Sequence, residues 1–322
     1  MTSARDSRFV EALRARVRGE VREAEPLGRY STYRIGGPAT ILFPASSEDV
    51  GRALTFAVEQ GVPWFALGLG SNLLLPDEGL DALVIRLGKG LDRCEDLGQG
   101  LWRLGAGLPQ PLAARRSAEA GFAGLHRFIG VPGTVGGGVY MNAGCHGGDW
   151  AEIVRRVTVV DPSGRDEVLG REQVAFAYRT SRLGSRIVLE TEVELVPTEL
   201  APIQAEVAEL LRWRQEGTPF NQPCCGSVFT NPGGPSWKQA DGPRTAGQLI
   251  DAAGLKGTSR GGVEISRQHA NYFVNLGGGT AADVRALIAL ARRTVREKFS
   301  VLLETEVKIV RPDGSFIPAD QD

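Results

Sequence analysis

Apolar positions recur along this chain with two periods, one helical and one alternating, and the switch between them outlines the elements. Residues 5–24 read as an exposed helix with a thin stripe at Phe9, Leu13 and Val17. Thr40–Phe43 reads as a strand. A helix capped at Ser46 or Ser47 follows, with Val50, Leu54, Ala57 and Val58 on one face and Gly61 at its end. Trp64–Leu67 and Leu83–Leu87 are buried strands. Beyond them, Pro111–Ala120 reads as a short helix with proline at its start and Gly121 past its end. Val157–Val160 and Glu167–Leu169 form a hairpin around Asp161-Pro162-Ser163-Gly164, and Ile187–Val196 alternates as a strand. Helices follow at Ile203–Arg214 and Thr245–Ala253, then a strand at Asn271–Leu276. Thr280 caps a last helix with Val284, Leu287, Ile288, Ala291 and Val295 on one face, and a strand at Val301–Val310 closes the chain. These elements suggest an N-terminal helical extension (1–26), a domain at 27–197 in two parts (about 27–87 and 88–197), a further domain at 198–298, and a closing strand with a loose tail (299–322).

Composition narrows the class. With 322 residues, 42 % hydrophobic and 23 % charged, the chain is ordinary globular stock. The net charge of -1 gives no pull toward nucleic acid or anionic membranes. The charged first eighteen residues lack the apolar core of a signal peptide, and no run reaches membrane-spanning length. A cytoplasmic protein is expected. Cys94, Cys145 and the adjacent Cys224 and Cys225 have neither zinc-site spacing nor a disulfide framework. No metal is expected. Glycine is the exception to ordinary composition: there are 42, and they cluster.

The clusters carry the candidate chemistry. Gly68-Leu69-Gly70-Ser71-Asn72 follows a buried strand, and it is either a plain turn or a loop turning backbone N–H groups toward an anion. It is neither the dinucleotide fingerprint nor a Walker loop. The stretch from Gly130 to Gly147, with Pro132-Gly133-Thr134 and Gly136-Gly137 followed by Asn142-Ala143-Gly144, is either a tightly packed corner or a cradle for a diphosphate. Two such loops in adjacent segments suggest one extended dinucleotide held by both. Arg179, in Tyr178-Arg179-Thr180-Ser181, is a candidate clamp for a carboxylate. Ser227, in Gly226-Ser227-Val228-Phe229-Thr230-Asn231-Pro232, is a candidate donor. Glu304 and Glu306 share a face of the closing strand by alternation. Cys145-His146 is a weak thiol–imidazole pair, since neighbours rarely align as nucleophile and base. His126 and His269 read as polar core or site-lining groups.

These motifs, with Thr32-Tyr33-Arg34-Ile35-Gly36-Gly37, Ala253-Gly254-Leu255-Lys256-Gly257 and Ser266–Asn275, occur in one order over about residues 27–310. In that order the chain resembles the UDP-N-acetylenolpyruvoylglucosamine reductase (MurB) family, flavoenzymes of peptidoglycan precursor synthesis. The resemblance implies an α/β and α+β fold: a two-part FAD-binding domain of the vanillyl-alcohol oxidase (PCMH) type and a C-terminal α+β substrate domain. It implies non-covalent FAD, NADPH as co-substrate and a UDP-sugar substrate; a monomer is expected. It implies reduction of UDP-N-acetylglucosamine enolpyruvate to UDP-N-acetylmuramate. By resemblance Arg179 and Glu306 stabilise charge developing on the substrate carboxylate and Ser227 donates the proton. Gly68, Leu69, Gly70, Ser71, Asn72, Pro132, Gly133, Thr134, Gly136, Gly137, Asn142 and Gly144 hold the cofactor. Tyr178, Arg214, Asn231 and His269 contact the substrate.

The chain also departs from the family pattern. His146 stands where the family often has Tyr. Family lysines are replaced by Gly217 and Thr230, with Arg212, Arg260 or Lys256 as candidate substitutes. Cys224-Cys225 precede Gly226 where a small polar residue is usual. Only 48 positions separate Arg179 from Ser227, as in a shorter subtype without a substrate-capping insertion. Two other functions fit the same fold: another FAD-linked oxidoreductase of the superfamily, or a nucleotide-sugar sensor without activity.

Overall fold

A computed structural model of the chain describes residues 3–233 and 245–318, so residues 319–322 of the tail lie outside the described residues. Two compact units interleave along the sequence. The first comprises the chain up to Ala24 with Ala39–Leu69 and Asp81–Arg214. The second comprises Glu25–Pro38, Gly70–Leu80 and the chain from Gln215 onward. The consecutive segments suggested by periodicity are therefore not the units that contacts define. Tyr33, Ile35 and Leu74 lie early in the chain, yet they share a core with Phe229, Phe273 and Leu287.

The first unit contains two larger sheets beside two short two-stranded pairings, Gly144–Cys145 with Gly148–Asp149 and Phe122–Ala123 with Val196–Pro197. One is four-stranded, in the order Glu20–Pro26, Pro38–Phe43, Leu83–Arg86, Trp64–Leu67. The last three strands run parallel, with Leu83 opposite both Thr40 and Trp64. Helix Ser47–Glu59 starts at the extended cap residue Ser46 and carries Glu48 and Asp49 in its first turn, where the helix dipole favours negative charge. Its Val50, Ala53, Leu54 and Ala57 enter one core with Leu42, Leu83 and Ile85. The other sheet is antiparallel and five-stranded: Asp166–Gly170, Val154–Val160, Ile187–Glu194, Leu101–Gly105, Cys94–Asp96.

The expected exposed helix over 5–24 is not there. A helix spans Ser7–Arg14 only, and Glu20–Pro26 is a strand. The stripe is buried, with Phe9 stacked on Phe56 at 5.2 Å. A tertiary contact reverses the chain between them: the fully buried Asp49 carboxylate accepts the backbone N–H groups of Arg18, Gly19 and Ala45 at 2.9, 2.8 and 2.9 Å. Helical periodicity cannot announce such an anchor.

In the second unit, strands Ser259–Arg260, Val263–Ile265 and Phe273–Asn275 form a small antiparallel sheet. Helix Ala246–Ala252 starts with a capping box between Thr245 and Gln248. Helix Ala281–Phe299 starts with another between Thr280 and Asp283, and Asp77 adds its carboxylate to the N–H groups of Ala281 and Ala282 at 2.8 and 3.2 Å. The expected strand Val301–Val310 is broken because it changes partner midway. Thr305 bridges to Phe229, then Val228 C=O accepts both Glu306 N–H (2.8 Å) and Val307 N–H (3.3 Å), which interrupts the ladder. Lys308–Ile309 then pairs in parallel with Leu73–Leu74. No described helix is long and apolar enough to cross a membrane.

Candidate active site

Each unit assembles part of the predicted site. In the first, strand Trp64–Leu67 delivers Gly68 against Thr134: a Cβ on Gly68 would lie 2.6 Å from Thr134 Oγ1. The two glycine-rich loops therefore meet within this unit. Thr134 caps the six-residue helix Val135–Tyr140, accepting Gly137 N–H on Oγ1 at 3.4 Å. Part of the glycine content answers packing rather than a ligand. A Cβ on Gly136 would sit 2.8 Å from the Ala106 side chain, and one on Gly138 would sit 2.3 Å from Gln110 Oε1.

Asn142 is 2 % exposed, and its amide is committed inside the unit. Its Nδ2 donates to Asp149 Oδ2 (3.1 Å) and Ala177 O (3.0 Å), and its Oδ1 accepts Ala151 N–H (3.0 Å). Both amide hydrogens are thus used within the unit, so Asn142 ties three backbone segments together. Ala177 bridges to Thr180 across a tight turn that holds Arg179 at φ +57°. The Arg179 guanidinium lies 5.0 Å from the Tyr178 ring centre and donates to Gly144 O at 2.9 Å. Gly144 is closely packed: a Cβ there would lie 3.0 Å from both Gly148 O and Asp149 Cβ.

Cys145 and His146 adjoin this turn. Burial raises the Cys145 thiol above its usual range, against a lowering by the Arg214 charge. Burial, then Arg214, lowers the His146 imidazole. Both groups are held neutral, so they do not form a thiolate–imidazolium couple. His146 packs edge-on against Trp213, with ring centres 4.8 Å apart. The Arg214 stem packs on Gly130, where a Cβ would meet its Cγ at 3.0 Å.

The second unit brings Ser227 and Glu306 together. Gly226 turns at φ +78° and presents Ser227, and the next residue, Val228, takes Glu306 N–H on its carbonyl. Asn72 Nδ2 donates to Glu306 O at 3.1 Å, while Asn72 O accepts Lys308 N–H at 2.9 Å. Thr32 Oγ1 donates to Cys224 O at 2.7 Å. Tyr33 is fully buried, and its hydroxyl has no well-formed hydrogen bond among the described residues. Burial, then the neighbouring Cys225 and Cys224, raises its pKa well above the phenol range. Burial likewise raises the Cys225 thiol, with Cys224 and Glu306 adding to the effect.

Asn231 and His269 are tied locally. Asn231 Oδ1 caps helix Ala246–Ala252 through Ala246 N–H at 3.1 Å. His269 Nδ1 accepts Asn271 N–H at 3.2 Å, which leaves Nε2 as the protonated nitrogen in the neutral ring. Of the candidate replacement cations, Lys256 is paired with Asp251 at 2.8 Å. Sequence reasoning missed Asn271. Its side chain holds Phe229, and its only signal was its place in the Ser266–Asn275 motif. No group of three or more His, Cys, Asp or Glu among the described residues is arranged to hold a metal.

A dinucleotide carrying a diphosphate suits the first unit's loops. No described residue accepts a hydrogen bond from the N–H groups of Gly68 or Leu69, and the absence of a Cβ at Gly68 leaves their backbone accessible beside Thr134. Residues 38–169 match the sequence profile of an FAD binding domain. Residues 218–310 match that of the UDP-N-acetylenolpyruvoylglucosamine reductase C-terminal domain. The chain is 40 % identical over 296 residues to the Bacillus licheniformis UDP-N-acetylenolpyruvoylglucosamine reductase, covering 91 % of this chain and 94 % of that protein. It is 42 % identical over 308 residues to reductase 2 of Symbiobacterium thermophilum, covering 94 % and 97 %.

The chain belongs to the UDP-N-acetylenolpyruvoylglucosamine reductase family.

A crystal structure of the family from Thermus caldophilus matches with a TM-score of 0.77 at 35 % identity, over 90 % of this chain and 99 % of that one. Within the family frame, the FAD binding profile covers both glycine-rich loops, Gly68–Asn72 and Pro132–Gly144. The reductase C-terminal profile covers Ser227, Asn231, His269 and Glu306.

Proposed function

We propose that the chain reduces UDP-N-acetylglucosamine enolpyruvate to UDP-N-acetylmuramate, a step of peptidoglycan precursor synthesis, with non-covalent FAD and with NADPH as the electron source. The observation that carries this reading is the Val228 clamp. It ties the backbone of Glu306 to the residue after Ser227, in the segment that matches the reductase C-terminal domain, which supports the reading. When bound, FAD supplies two-electron hydride transfer, accepting from NADPH and giving to the enolpyruvyl alkene.

The chain supplies the rest. The N–H groups of Gly68 and Leu69, with the loop Pro132–Gly137, would hold the cofactor's diphosphate. Hydride addition pushes charge into the substrate carboxylate, and a fixed cation stabilises that charge where it develops. Arg179 takes this role, its guanidinium already oriented by Gly144 O. Glu306 stabilises the enolic form of the carboxylate, and the Ser227 hydroxyl gives its proton to the adjacent carbon. Asn72 holds the Glu306 backbone in register. Tyr178, Arg214, Asn231 and His269 contact the sugar nucleotide. We place the enzyme in the cytoplasm as a monomer that binds neither nucleic acid nor membrane.

The test is anaerobic spectroscopy of the purified yellow protein. NADPH bleaches the visible flavin band, and the enolpyruvyl sugar nucleotide restores it stoichiometrically. A band that recovers only on admission of oxygen would refute the assignment.

A further inference from the structure

We infer that Asn271 is a positioning residue for the proposed proton donor: its side-chain amide stands in for a β-strand partner and fixes the short segment that carries Ser227. This rests on the reading of Ser227 given above and extends it to a residue with no contact to the chemistry.

The segment after Gly226 has one conventional neighbour, the stretch Glu304–Val307. It supplies Glu306 N–H and Val307 N–H to Val228 C=O, and Glu304 C=O to Thr230 N–H. On the other side no strand among the described residues pairs with it. Asn271 fills that side alone. Its backbone C=O accepts Val228 N–H at 2.8 Å, its Oδ1 accepts Phe229 N–H at 2.9 Å, and its Nδ2 donates to Phe229 O at 2.8 Å. Of the four backbone polar groups of Val228 and Phe229, Asn271 therefore satisfies every one except the Val228 carbonyl, which Glu306 and Val307 take.

The amide is the only common side-chain group that offers a donor and an acceptor at the spacing of a peptide unit. Asn271 is 4 % exposed, so water does not substitute for these bonds. Asn271 is itself held, since its N–H goes to His269 Nδ1. A line of contact thus runs from His269 through Asn271 to the residue next to Ser227, and across Val228 to Glu306.

The consequence is a division of labour. Gly226 at φ +78° turns the chain at the half-buried Ser227, and a glycine at that turn leaves the next residue free to reorient. Asn271 removes that freedom one residue later. A proton donor must lie within hydrogen-bond reach of the accepting carbon, and small misplacements cost rate steeply.

Two variants test this, each assayed as flavin-loaded protein. Asn271→Ala removes both side-chain bonds, while Asn271→Asp keeps an acceptor for Phe229 N–H and loses the donor to Phe229 O. Stopped-flow reduction of the flavin by NADPH stays within about twofold of the parent, because that half-reaction does not use Ser227. Reoxidation by the enolpyruvyl sugar nucleotide falls by about 10²-fold in Asn271→Ala and less in Asn271→Asp, and its solvent deuterium isotope effect rises as proton delivery becomes limiting. Equal slowing of both half-reactions, unchanged reoxidation, or loss of folded yellow protein in both variants would each overturn the inference and leave Asn271 a core residue only. Failure of the parent protein to be reoxidised by the sugar nucleotide would instead overturn the functional reading on which the inference rests.

Discussion

Asn142 offers a direct test of whether a site residue acts by touching a ligand or by shaping what does. Replacing it with alanine deletes the hydrogen bonds to Asp149, Ala177 and Ala151, all in a place that is 2 % exposed. At about 1 kcal/mol net for each bond, the loss is roughly 3 kcal/mol. Asn142 also sits at φ +43°, where alanine adds about 1 kcal/mol that asparagine largely avoids. The expected destabilisation is therefore about 4 kcal/mol, which at roughly 2–4 °C per kcal/mol lowers Tm by about 8–16 °C. The assay is thermal unfolding of the flavin-free protein, followed by a separate titration of flavin affinity. The reasoning requires the apoprotein itself to be weakened, with affinity falling as a consequence. A flavin-free Tm within about 2 °C of the parent, together with a tenfold or greater loss of flavin affinity, would show that Asn142 is a direct ligand and that its ties are dispensable.

Other outcomes follow from the same geometry. Ser227→Ala leaves flavin reduction by NADPH near the parent rate and slows turnover on the sugar nucleotide by about 10²-fold, checked by separate half-reaction kinetics; equal slowing of both would count against a proton donor. Tyr33→Phe removes a buried hydroxyl with no well-formed partner, so Tm holds or rises, and a loss beyond about 1 kcal/mol would show that the hydroxyl–thiol contact matters more than its geometry suggests. Burial and Arg214 hold the His146 imidazole below its ordinary 6.5 in the folded chain, so the unfolded chain protonates first as pH falls. The stability this contributes is complete above pH 6.5 and declines as pH drops through the folded value, and His146→Phe flattens that part of the Tm–pH profile. An undiminished slope in the variant would assign it to another group.

Features with a local cause were readable in the chain. Thr245 and Thr280 cap helices because their hydroxyls reach N–H groups three residues on, and the first strands of the parallel sheet stand out because both faces are buried. Features with a distant cause were not. The helix over 5–24 ends early because Asp49, thirty positions further on, binds Arg18 and Gly19. Alternation in 301–310 persists as burial of Leu303, Thr305, Val307 and Ile309, but the ladder breaks where the partner changes from Phe229 to Leu73. Arg179, Ser227 and Glu306, the residues proposed to act, could be named from motifs. The work of Asn142 and Asn271 could not, because an asparagine that ties backbone together looks in sequence like one that binds a ligand. Packing also accounts for part of the glycine-rich stretch, since Gly136 and Gly138 answer Ala106 and Gln110.

The interleaving of the two units bears on how the protein is made. Segments 25–38 and 70–80 leave the ribosome early, but the core that accepts Tyr33, Ile35 and Leu74 is built from residues near 229, 273 and 309. At ~5–20 residues per second, these stretches wait roughly ten seconds or more for their partners. During that interval their apolar side chains are open to chaperones and to neighbouring nascent chains. Shortening the product from its C-terminal end would strand them permanently, so the last third of the message governs whether the first quarter of the polypeptide can settle.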